Sequence, residues 1–349
     1  MIGIFSNLYR GFEKVLTRRW GSLCIFFIAL IAYSSTGFMY FEMENIAVQN
    51  DPDVKWMTAI WWSIVTMTTV GYGDYFPETF WGRVLVGIPT MIVGVGVLGY
   101  ILSTLASIIM ESKLKEIRGM ANTNVHDHII MIHYTGQDQI DKIVHEIRED
   151  KSTENTSIVL VDEHLSEMTK ELIELGIVFV KGNPARESTL ERANLSMARH
   201  CIIQADHQDP ANSDHRNLAV ALTVERLHPE VQTVVHCLNP GNVPFYEKAG
   251  VDGVVCIESL AGQMMVQELQ DPGVHEVLTQ LTTNEQGKQF YIVDTQSGDV
   301  NYEDVKSRLD NTERQVIGIQ RGERPLLLPE SGCQINRGDR AILIAAERP

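Results

Sequence analysis

Five consecutive residues have types and a spacing that indicate a specific chemistry: Thr69, Val70, Gly71, Tyr72 and Gly73. An ordinary strand alternates its carbonyl groups between two sides. Turning every carbonyl to one side requires dihedral angles that glycine reaches at low cost, and Gly71 and Gly73 supply such positions. Val70 and Tyr72 are then expected to point outward, and Thr69 can add a hydroxyl oxygen. The stretch predicts a ladder of oxygen atoms that replaces the hydration shell of a monovalent cation.

Two long uncharged segments, residues 20–41 and 84–110, flank this loop. About 20 apolar residues in a helix span a hydrocarbon layer of about 30 Å, so both segments are predicted to be membrane helices. A signal peptide is the alternative for the first, but its apolar run is too long and a second span follows. Residues 55–67 are apolar but too short to span. They are predicted to form a re-entrant helix whose carboxyl end, with its negative partial charge, faces a cation path.

Positive charges predict the orientation of the two spans. Cytoplasmic segments near a membrane are enriched in lysine and arginine. The connection between the spans is mainly acidic, which places it outside the cell, places both termini in the cytoplasm, and predicts a multi-pass protein of the cell membrane. The flanking basic residues are Arg10, Lys14, Arg18, Arg19, Lys113, Lys115 and Arg118.

The charge balance and the cysteines exclude several other classes. Residues 1–119 contain equal numbers of basic and acidic side chains, so the formal charge of −16 lies entirely in the remainder. An acidic region of this kind argues against nucleic acid as a partner, because phosphate contacts need clustered lysine and arginine. The five cysteines are scattered and odd in number, which fits neither a zinc pattern nor a disulfide framework.

The loop and its surroundings resemble potassium channels, whose filter signature is T-V-G-Y-G. Residues 68–74 read T-T-V-G-Y-G-D, and paired tryptophans precede them. The resemblance implies that residues 69–73 bind K⁺ and that Trp61, Trp62, Thr68 and Asp74 support the filter. One chain supplies a single ladder, so it also implies a homotetramer in the lipid bilayer.

Glycines in the second span allow two interpretations. In membranes, small residues permit close packing between helices. In related channels, a glycine in this part of the inner helix is a hinge at which the helix bends to open the pore. Gly94 and Gly96 both fit that place, and the sequence does not choose between them.

The pattern changes from residue 126 onward. Six short apolar runs alternate with amphipathic segments, which predicts a doubly wound, Rossmann-like α/β domain with a parallel sheet. Further strand-like runs after residue 285 predict a small α+β lobe. The predicted strands lie at residues 128–133, 157–162, 176–182, 199–205, 232–238 and 253–257.

A doubly wound domain after two spans and this filter resembles the RCK (regulator of potassium conductance) architecture, with the calcium-gated archaeal channel type as the nearest form. The resemblance implies a cytoplasmic ring in which ligand binding pulls the linker and opens the inner helices. It also implies that extra soluble RCK copies, started internally at Met120, can complete the ring. The predicted divisions are a pore domain at 1–110, a linker at 111–125, an N-lobe at 126–257, a helical crossover at 258–285 and a C-lobe at 286–349.

One candidate gating ligand is an adenine nucleotide, NAD or ADP. Dinucleotide-binding sheets carry G-x-G-x-x-G after the first strand, and here His133 stands at the first glycine while only Gly136 remains. Asp162 ends the second strand, where an acid binds a ribose hydroxyl or caps the next helix. Asn183 and Asp206 follow the third and fourth strands, at the edge where ligands bind such sheets.

The other candidate is Ca²⁺. By alignment with the calcium-gated type, the positions of its acidic ligands correspond to Gln204, His236 and Leu238, so that site does not carry over. The loop at 205–215 offers other oxygen ligands without EF-hand order, and a solvated acidic loop is the alternative interpretation. Its candidate metal ligands are Asp206, Asp209 and Asp214.

Two other functions compete with a ligand-gated channel. The first is a constitutive potassium pore whose RCK domain serves assembly only, which the sequence leaves open. The second is a membrane-tethered, nucleotide-dependent oxidoreductase. The degraded phosphate loop and the absence of a visible acid–base pair in the sequence argue against it, so the chain is predicted not to be an enzyme.

Overall fold

The chain folds into two compact units that meet between Lys115 and Glu116. Trp20, predicted to begin the first span, and the four basic residues before it lie outside the described residues. The computed structural model describes residues 21–42, 55–285, 287–295, 300–322, 324–330 and 332–348.

The first unit consists of helices around the loop at 69–73. Helix α1 (Gly21–Phe41) and helix α3 (Ile88–Ile117), the latter preceded by a π-helical turn (Gly82–Gly87), are long and apolar enough to cross a membrane. Between them, α2 (Lys55–Met67) has the bounds predicted for the re-entrant helix. Its buried residues pack against α1, because aromatic and small side chains of the two helices interdigitate.

Helix α3 extends further than its apolar segment. The sequence placed the end of the span at Met110 and a linker at 111–125, but the helix continues to Ile117. Residues 111–117 contain good helix formers, and Lys115 contacts Glu111 at 2.7 Å in an i,i+4 pair. Hydropathy therefore marked where the apolar segment ends rather than where the helix ends.

The start of α3 departs from regular helical geometry. Pro89 has no N–H group, so a carbonyl in the preceding turn loses its usual helical donor. In the π-helical turn the Ile88 amide donates to the Arg83 carbonyl, and the Leu85 carbonyl accepts a hydrogen bond from the Tyr33 hydroxyl of α1 at 2.5 Å. A side chain of α1 thus bonds a backbone carbonyl of the irregular turn.

The second unit begins with a six-stranded parallel sheet in the order β3-β2-β1-β4-β5-β6, the doubly wound order that the sequence predicts. All six predicted strands are present. They are β1 (His128–Ile132), β2 (Ile158–Asp162), β3 (Val178–Lys181), β4 (Ala198–Ile203), β5 (Gln232–His236) and β6 (Gly253–Val255). The intervening helices are α4 (Gln137–Glu149), α5 (Lys170–Glu174), α6 (Glu187–Arg192), α7 (Ser213–Leu227) and α8 (Val243–Ala249).

Apolar side chains cover both faces of this sheet. On one face, Ile140 and Val144 of α4 and Leu172 of α5 are completely buried. On the other, residues of α7 and α8 form a second cluster with the strands. Burial on both faces explains why the strands are continuous apolar runs. Helix α5 is short and begins only at Lys170, where the Thr169 side chain caps it by accepting a hydrogen bond from the Leu172 amide.

A helical pair and a small lobe complete the chain. Helices α9 (Ile257–Gln270) and α10 (Val274–Thr282) lead into a four-stranded sheet of order β10-β9-β12-β7 and a two-stranded sheet, β11-β8. The elements of the lobe are β7 (Gln289–Asp294), β8 (Val300–Asn301), α11 (Tyr302–Leu309), β9 (Arg314–Arg321), β10 (Arg324–Leu327), β11 (Gln334–Ile335) and β12 (Arg340–Ala345).

Two neighbouring residues of α5 test the packing of this sheet. Leu172 is fully buried, whereas Ile173 is 48% exposed. We expect Leu172→Ala to lower the free energy of unfolding by about 2–5 kcal/mol, because it leaves a cavity. Ile173→Ala should change it by about 0.5 kcal/mol or less. Urea unfolding of the purified full chain, followed by circular dichroism, measures both, and equal effects would contradict the packing described.

Candidate functional site

The backbone of the filter-like loop alternates in handedness. Thr69, Gly71 and Gly73 have φ angles of 61°, 57° and 74°, while Val70 and Tyr72 between them do not have positive φ. Alternation of this kind turns successive carbonyl groups toward one side. Positive φ is rare and costly for a β-branched residue such as threonine. Strain of this type persists only where the surrounding structure holds it, and it concentrates at functional sites.

A tryptophan of α2 holds the loop from its outer side. The Trp61 ring stacks on the Tyr72 ring, with centroids 5.8 Å apart and planes inclined by 5°. Its indole Nε1 donates a hydrogen bond to Asp74 Oδ2 at 2.8 Å. One side chain therefore contacts the loop both within and just beyond the five residues. Trp61 and Asp74 are thus in contact with the loop or next to it, and their role in supporting a filter stays a prediction.

Trp62 and Thr68 act further from the loop. Trp62 is buried and stacks on Phe38 of α1, with centroids 4.6 Å apart, so it fixes α2 rather than the loop. The Thr68 hydroxyl donates to the Ile64 carbonyl at 2.8 Å, within the last turn of α2. The Val65 carbonyl accepts the amides of residues 70 and 71, which joins the helix end to the loop.

Glu42 belongs to the acidic connection between the two long apolar segments, and its role is structural. It follows α1 directly and is 2% exposed. Its carboxylate accepts the amides of Glu78 and Thr79 at 2.9 and 3.1 Å, and the Thr79 hydroxyl at 2.6 Å. These charge-assisted bonds tie the segment after the loop to the end of α1. The sequence feature that could have indicated this structural role is the position of an acid directly after a long apolar segment.

The two hinge candidates differ in their surroundings. A Cβ atom added at Gly94 would lie 2.8 Å from Met67 Cα, which is backbone and has no room to move aside. Gly94 therefore lets α3 approach the end of α2. A Cβ added at Gly96 meets nothing within 4 Å in the single chain. The structure shows close packing at Gly94, and the hinge role stays a prediction for both glycines.

The candidate ligand residues of the second unit lie at the carboxyl edge of the parallel sheet. His133 follows β1 with a φ of 70°, and its Nε2 lies 3.0 Å from Asn217 Oδ1. Burial lowers the pKa of His133 below its usual value, so the ring is neutral at pH 7. Gly136, with a φ of 104°, precedes α4, and no side chain caps that helix start. Backbone donors of the first turn are therefore open to a ligand.

Asp162 and Asn183 bond to nearby backbone. Asp162 Oδ1 accepts the amides of His164 and Leu165 at 2.7 and 2.6 Å, and its Oδ2 accepts the Tyr134 amide at 2.9 Å. Asn183 Oδ1 accepts the Ala185 amide at 2.9 Å. Asp162 does not cap the next helix, which begins at Lys170 with Thr169 as its cap; instead it joins the loops after β1 and β2, and its ribose-binding role stays a prediction.

The three candidate metal ligands have separate partners. Asp206 lies 3.0 Å from a guanidinium nitrogen of Arg216, whose other terminal nitrogen contacts Glu163 at 3.0 Å. Asp209 accepts both hydrogen bonds from the Asn212 side-chain amide. These two acids are therefore held by different groups of the loop and α7.

Asp214 is the most completely bonded of the three. Its carboxylate accepts the amides of Leu238 and Asn239 at 2.9 Å each and the Asn242 amide group at 2.8 Å. Burial alone would raise the pKa of Asp214, but these hydrogen bonds outweigh it and lower the pKa. Asp214 therefore joins the start of α7 to the segment after β5.

The three acids of the loop at 205–215 do not converge in the single chain, and their role as metal ligands stays a prediction. Across the ranges that the structure covers, no group of three or more His, Cys, Asp or Glu side chains is placed to hold a metal ion. The physical reason is that Asp206 neutralises Arg216 and Asp214 caps backbone, so neither carboxylate is directed at a common point with Asp209.

Comparisons with known proteins divide the chain in the same way. Residues 23–111 match the family described as ion channel. Residues 124–235 match the calcium-activated potassium channel slowpoke-like RCK domain. The two matches cover the helices around the loop and most of the parallel sheet.

Full-length similarity extends to proteins described as potassium channels. The putative potassium channel protein YugO of Bacillus subtilis is 28% identical over 289 residues, covering 82% of this chain and 85% of the relative. The calcium-gated potassium channel TvoK of Thermoplasma volcanium is 25% identical over 355 residues, covering 99% and 97%. The solved GsuK channel bound to NAD aligns with a TM-score of 0.46 and 16% identity, over 96% of this chain and 58% of that chain.

A tryptophan pair on α2 tests the loop support. Trp61→Phe keeps a ring against Tyr72 but removes the hydrogen bond to Asp74. Such a bond contributes about 1 kcal/mol, so we expect the filter to leave its conducting form about fivefold more readily. The measurement is the rate of current decay in low external K⁺. Trp56→Phe, at an exposed position of the same helix, is the control. Equal decay in both variants would contradict the support role.

The two glycines of α3 give a second matched pair. Alanine normally stabilises a helix interior by about 1 kcal/mol relative to glycine. We expect Gly94→Ala to lower thermal stability of the purified channel, because its Cβ overlaps Met67. Gly96→Ala should raise it or leave it unchanged, and should lower open probability if Gly96 is the hinge. A stable Gly94→Ala channel with unaltered conduction would contradict the close contact.

Proposed function

We propose that this chain, a potassium channel with a C-terminal RCK domain, is a homotetramer that conducts K⁺ through residues 69–73 and is gated by a ligand on the RCK domain. The observation that carries the conducting role is the alternation of positive φ at Thr69, Gly71 and Gly73. Rings of carbonyl oxygens from four such loops replace the hydration shell of K⁺.

The exposed faces of the loop support assembly around a common axis. Val70 and Tyr72 are 54% and 67% exposed in the single chain, which is unusual for apolar side chains beside a strained backbone. In a tetramer, neighbouring copies cover these side chains and hold the carbonyl ladder rigid. Both termini are assigned to the cytoplasm by the charge distribution, in the cell membrane.

The helical pair supports a ring of RCK domains. No described residue of α9 is buried in the single chain, and Met265 and Leu269 are 70% and 83% exposed. Residues of α9 and α10 line an apolar groove of about 580 Å³. Apolar surface of this kind marks a protein interface, and we assign it to a second copy of the RCK domain. Soluble copies started at Met120 would fit the same surface.

The carboxyl edge of the sheet is the proposed ligand site, with an adenine nucleotide as the ligand. The uncapped start of α4 supplies backbone donors to phosphate, and Asp162 lies where a ribose hydroxyl is bound in such sheets. His133, Gly136, Asn183 and Asp206 border the same edge. Ca²⁺ is the second candidate, because the relative TvoK is described as calcium-gated. Its ligands would have to come from more than one copy.

Gating follows from the order of the units along the chain. The RCK domain joins the inner helix α3 directly, so a change in the shape of the ring displaces the end of that helix. A ligand shifts the equilibrium only if it binds the open and closed rings with different affinity. A ligand at the carboxyl edge of strands β1 to β4 can bind the two forms with different affinity, because we expect the loops at this edge to move when the ring changes shape.

Reconstitution into planar bilayers under a K⁺/Na⁺ gradient tests the proposal. We expect a reversal potential near that of K⁺ and an open probability that changes with NAD, ADP or Ca²⁺ on the RCK side. NADH and ATP complete the screen. A selective current that ignores every ligand would mean a constitutive pore with the RCK domain serving assembly. No selective current from a folded tetramer would overturn the assignment of the filter.

Two acids near the edge test the nucleotide site. Asp162→Asn weakens the acceptor for a ribose hydroxyl, and we expect it to lower nucleotide affinity about tenfold. Asp138, exposed in the first turn of α4, is the control, since Asp138→Asn removes a negative charge and should keep or raise the affinity. Calorimetric titration of the full channel with ADP measures both. Equal losses in the two variants would contradict this placement of the nucleotide.

A further inference from the structure

The segment after α3 is bonded to the edge of the parallel sheet. The Ile117 carbonyl accepts the Met168 amide at 2.9 Å, and the Gly119 carbonyl accepts the Lys181 amide of β3 at 2.9 Å. Gly119 is buried with a φ of 64°. A Cβ atom there would lie 2.4 Å from the Lys181 backbone nitrogen and 2.7 Å from the Phe179 ring. The chain therefore approaches β3 as closely as two backbones can.

Arg192, the last residue of α6, bonds to both sides of the contact between Gly119 and β3. Its guanidinium donates to the Lys181 carbonyl at 3.0 Å and also to the Gly119 carbonyl. Among the described residues, no carboxylate lies within ion-pair distance of Arg192, so the two carbonyls are the acceptors that orient it. The planar guanidinium reaches both at once, which a lysine ammonium on a single stem does not.

The far side of β3 leads to the proposed ligand edge. Lys181 is followed by Gly182, whose amide donates to the Asp162 carbonyl at 2.9 Å. Two backbone hydrogen bonds and the single residue Lys181 thus connect Asp162 with Gly119. The covalent route from Gly119 to β1 is longer and passes through Met120, which is 62% exposed.

We infer that Gly119 and Arg192 are positioning residues for gating. They transmit movement at the ends of β2 and β3 sideways to the end of α3, rather than along residues 120–127. A hydrogen-bonded junction with no room for a methyl group transmits displacement. Residues 120–122 are exposed or half-buried and can absorb it, whereas the chain is bonded again from Thr123, whose amide donates to the Arg192 carbonyl at 3.0 Å. The inference rests on the proposed ligand gating for its effector and assigns the path by which the effector acts.

The test compares two ways of loosening the connection in the reconstituted full channel. Arg192→Gln removes the guanidinium that bonds the Lys181 and Gly119 carbonyls. Its control is Arg199→Gln, at an exposed position seven residues further along the chain. A Gly-Ser-Gly insertion between Met120 and Ala121 loosens only the covalent route. The readouts are open probability with and without ADP, NAD or Ca²⁺, affinity for the active effector, and thermal stability. Arg192→Lys is included as the conservative variant.

We expect Arg192→Gln to reduce the effector-induced change in open probability by about tenfold, within the usual range of allosteric coupling. Effector affinity and K⁺ selectivity should stay close to those of Arg199→Gln. The insertion should leave the effector response close to wild type, and Arg192→Lys should restore part of it. A wild-type response in Arg192→Gln, or loss of response in the insertion variant alone, would overturn the lateral path.

If the channel responds to no effector, the proposed ligand gating is contradicted, but the variants still test the path through Gly119 and Arg192. In that case the basal open probability is compared. A shift in Arg192→Gln that is absent in the insertion variant and in Arg199→Gln supports the lateral path. Basal open probability unchanged in Arg192→Gln, in a tetramer of wild-type stability, would overturn it.

Discussion

The first unit depends on one constraint: the carbonyl groups of residues 69–73 must all face one side. The backbone satisfies it by alternating its handedness, with positive φ at Thr69, Gly71 and Gly73. Glycine adopts such angles without a Cβ penalty, but threonine does not, so the loop is strained unless other groups hold it. Trp61 supplies both a stacked ring and a hydrogen bond for this purpose. The surrounding helices then have to hold Trp61.

The surrounding helices supply that support through close contacts. Trp62 stacks on α1, Gly94 lets α3 lie against the end of α2, and Glu42 binds backbone amides just beyond the loop. Each contact removes a way in which the loop could relax. A buried carboxylate such as Glu42 is stable there because several donors surround it, whereas an unpaired one would cost far more. The strained loop at 69–73 thus depends on stacking, close packing and hydrogen bonds from the helices around it.

The second unit uses its acidic side chains mainly for its own architecture. Asp162 and Asp214 are bonded to backbone amides, and Asp206 faces Arg216. These bonds order the loops at the carboxyl edge of the sheet, and the same loops connect through β3 to the segment that follows α3. The proposed ligand site and the proposed connection to α3 therefore share one edge.

Local patterns in the sequence were enough to predict two long apolar helices, a short helix at 55–67 and the order of strands and helices from 126 onward. Apolar length, periodicity and glycine spacing are local properties, so they are readable without contacts. Contacts between distant segments settled which of Gly94 and Gly96 is packed, that Asp162 binds amides of two loops, and that the acids of 205–215 do not converge. The reason is physical: each depends on an atom from a distant segment, such as Met67, Tyr134 or Arg216, whose position no local pattern specifies.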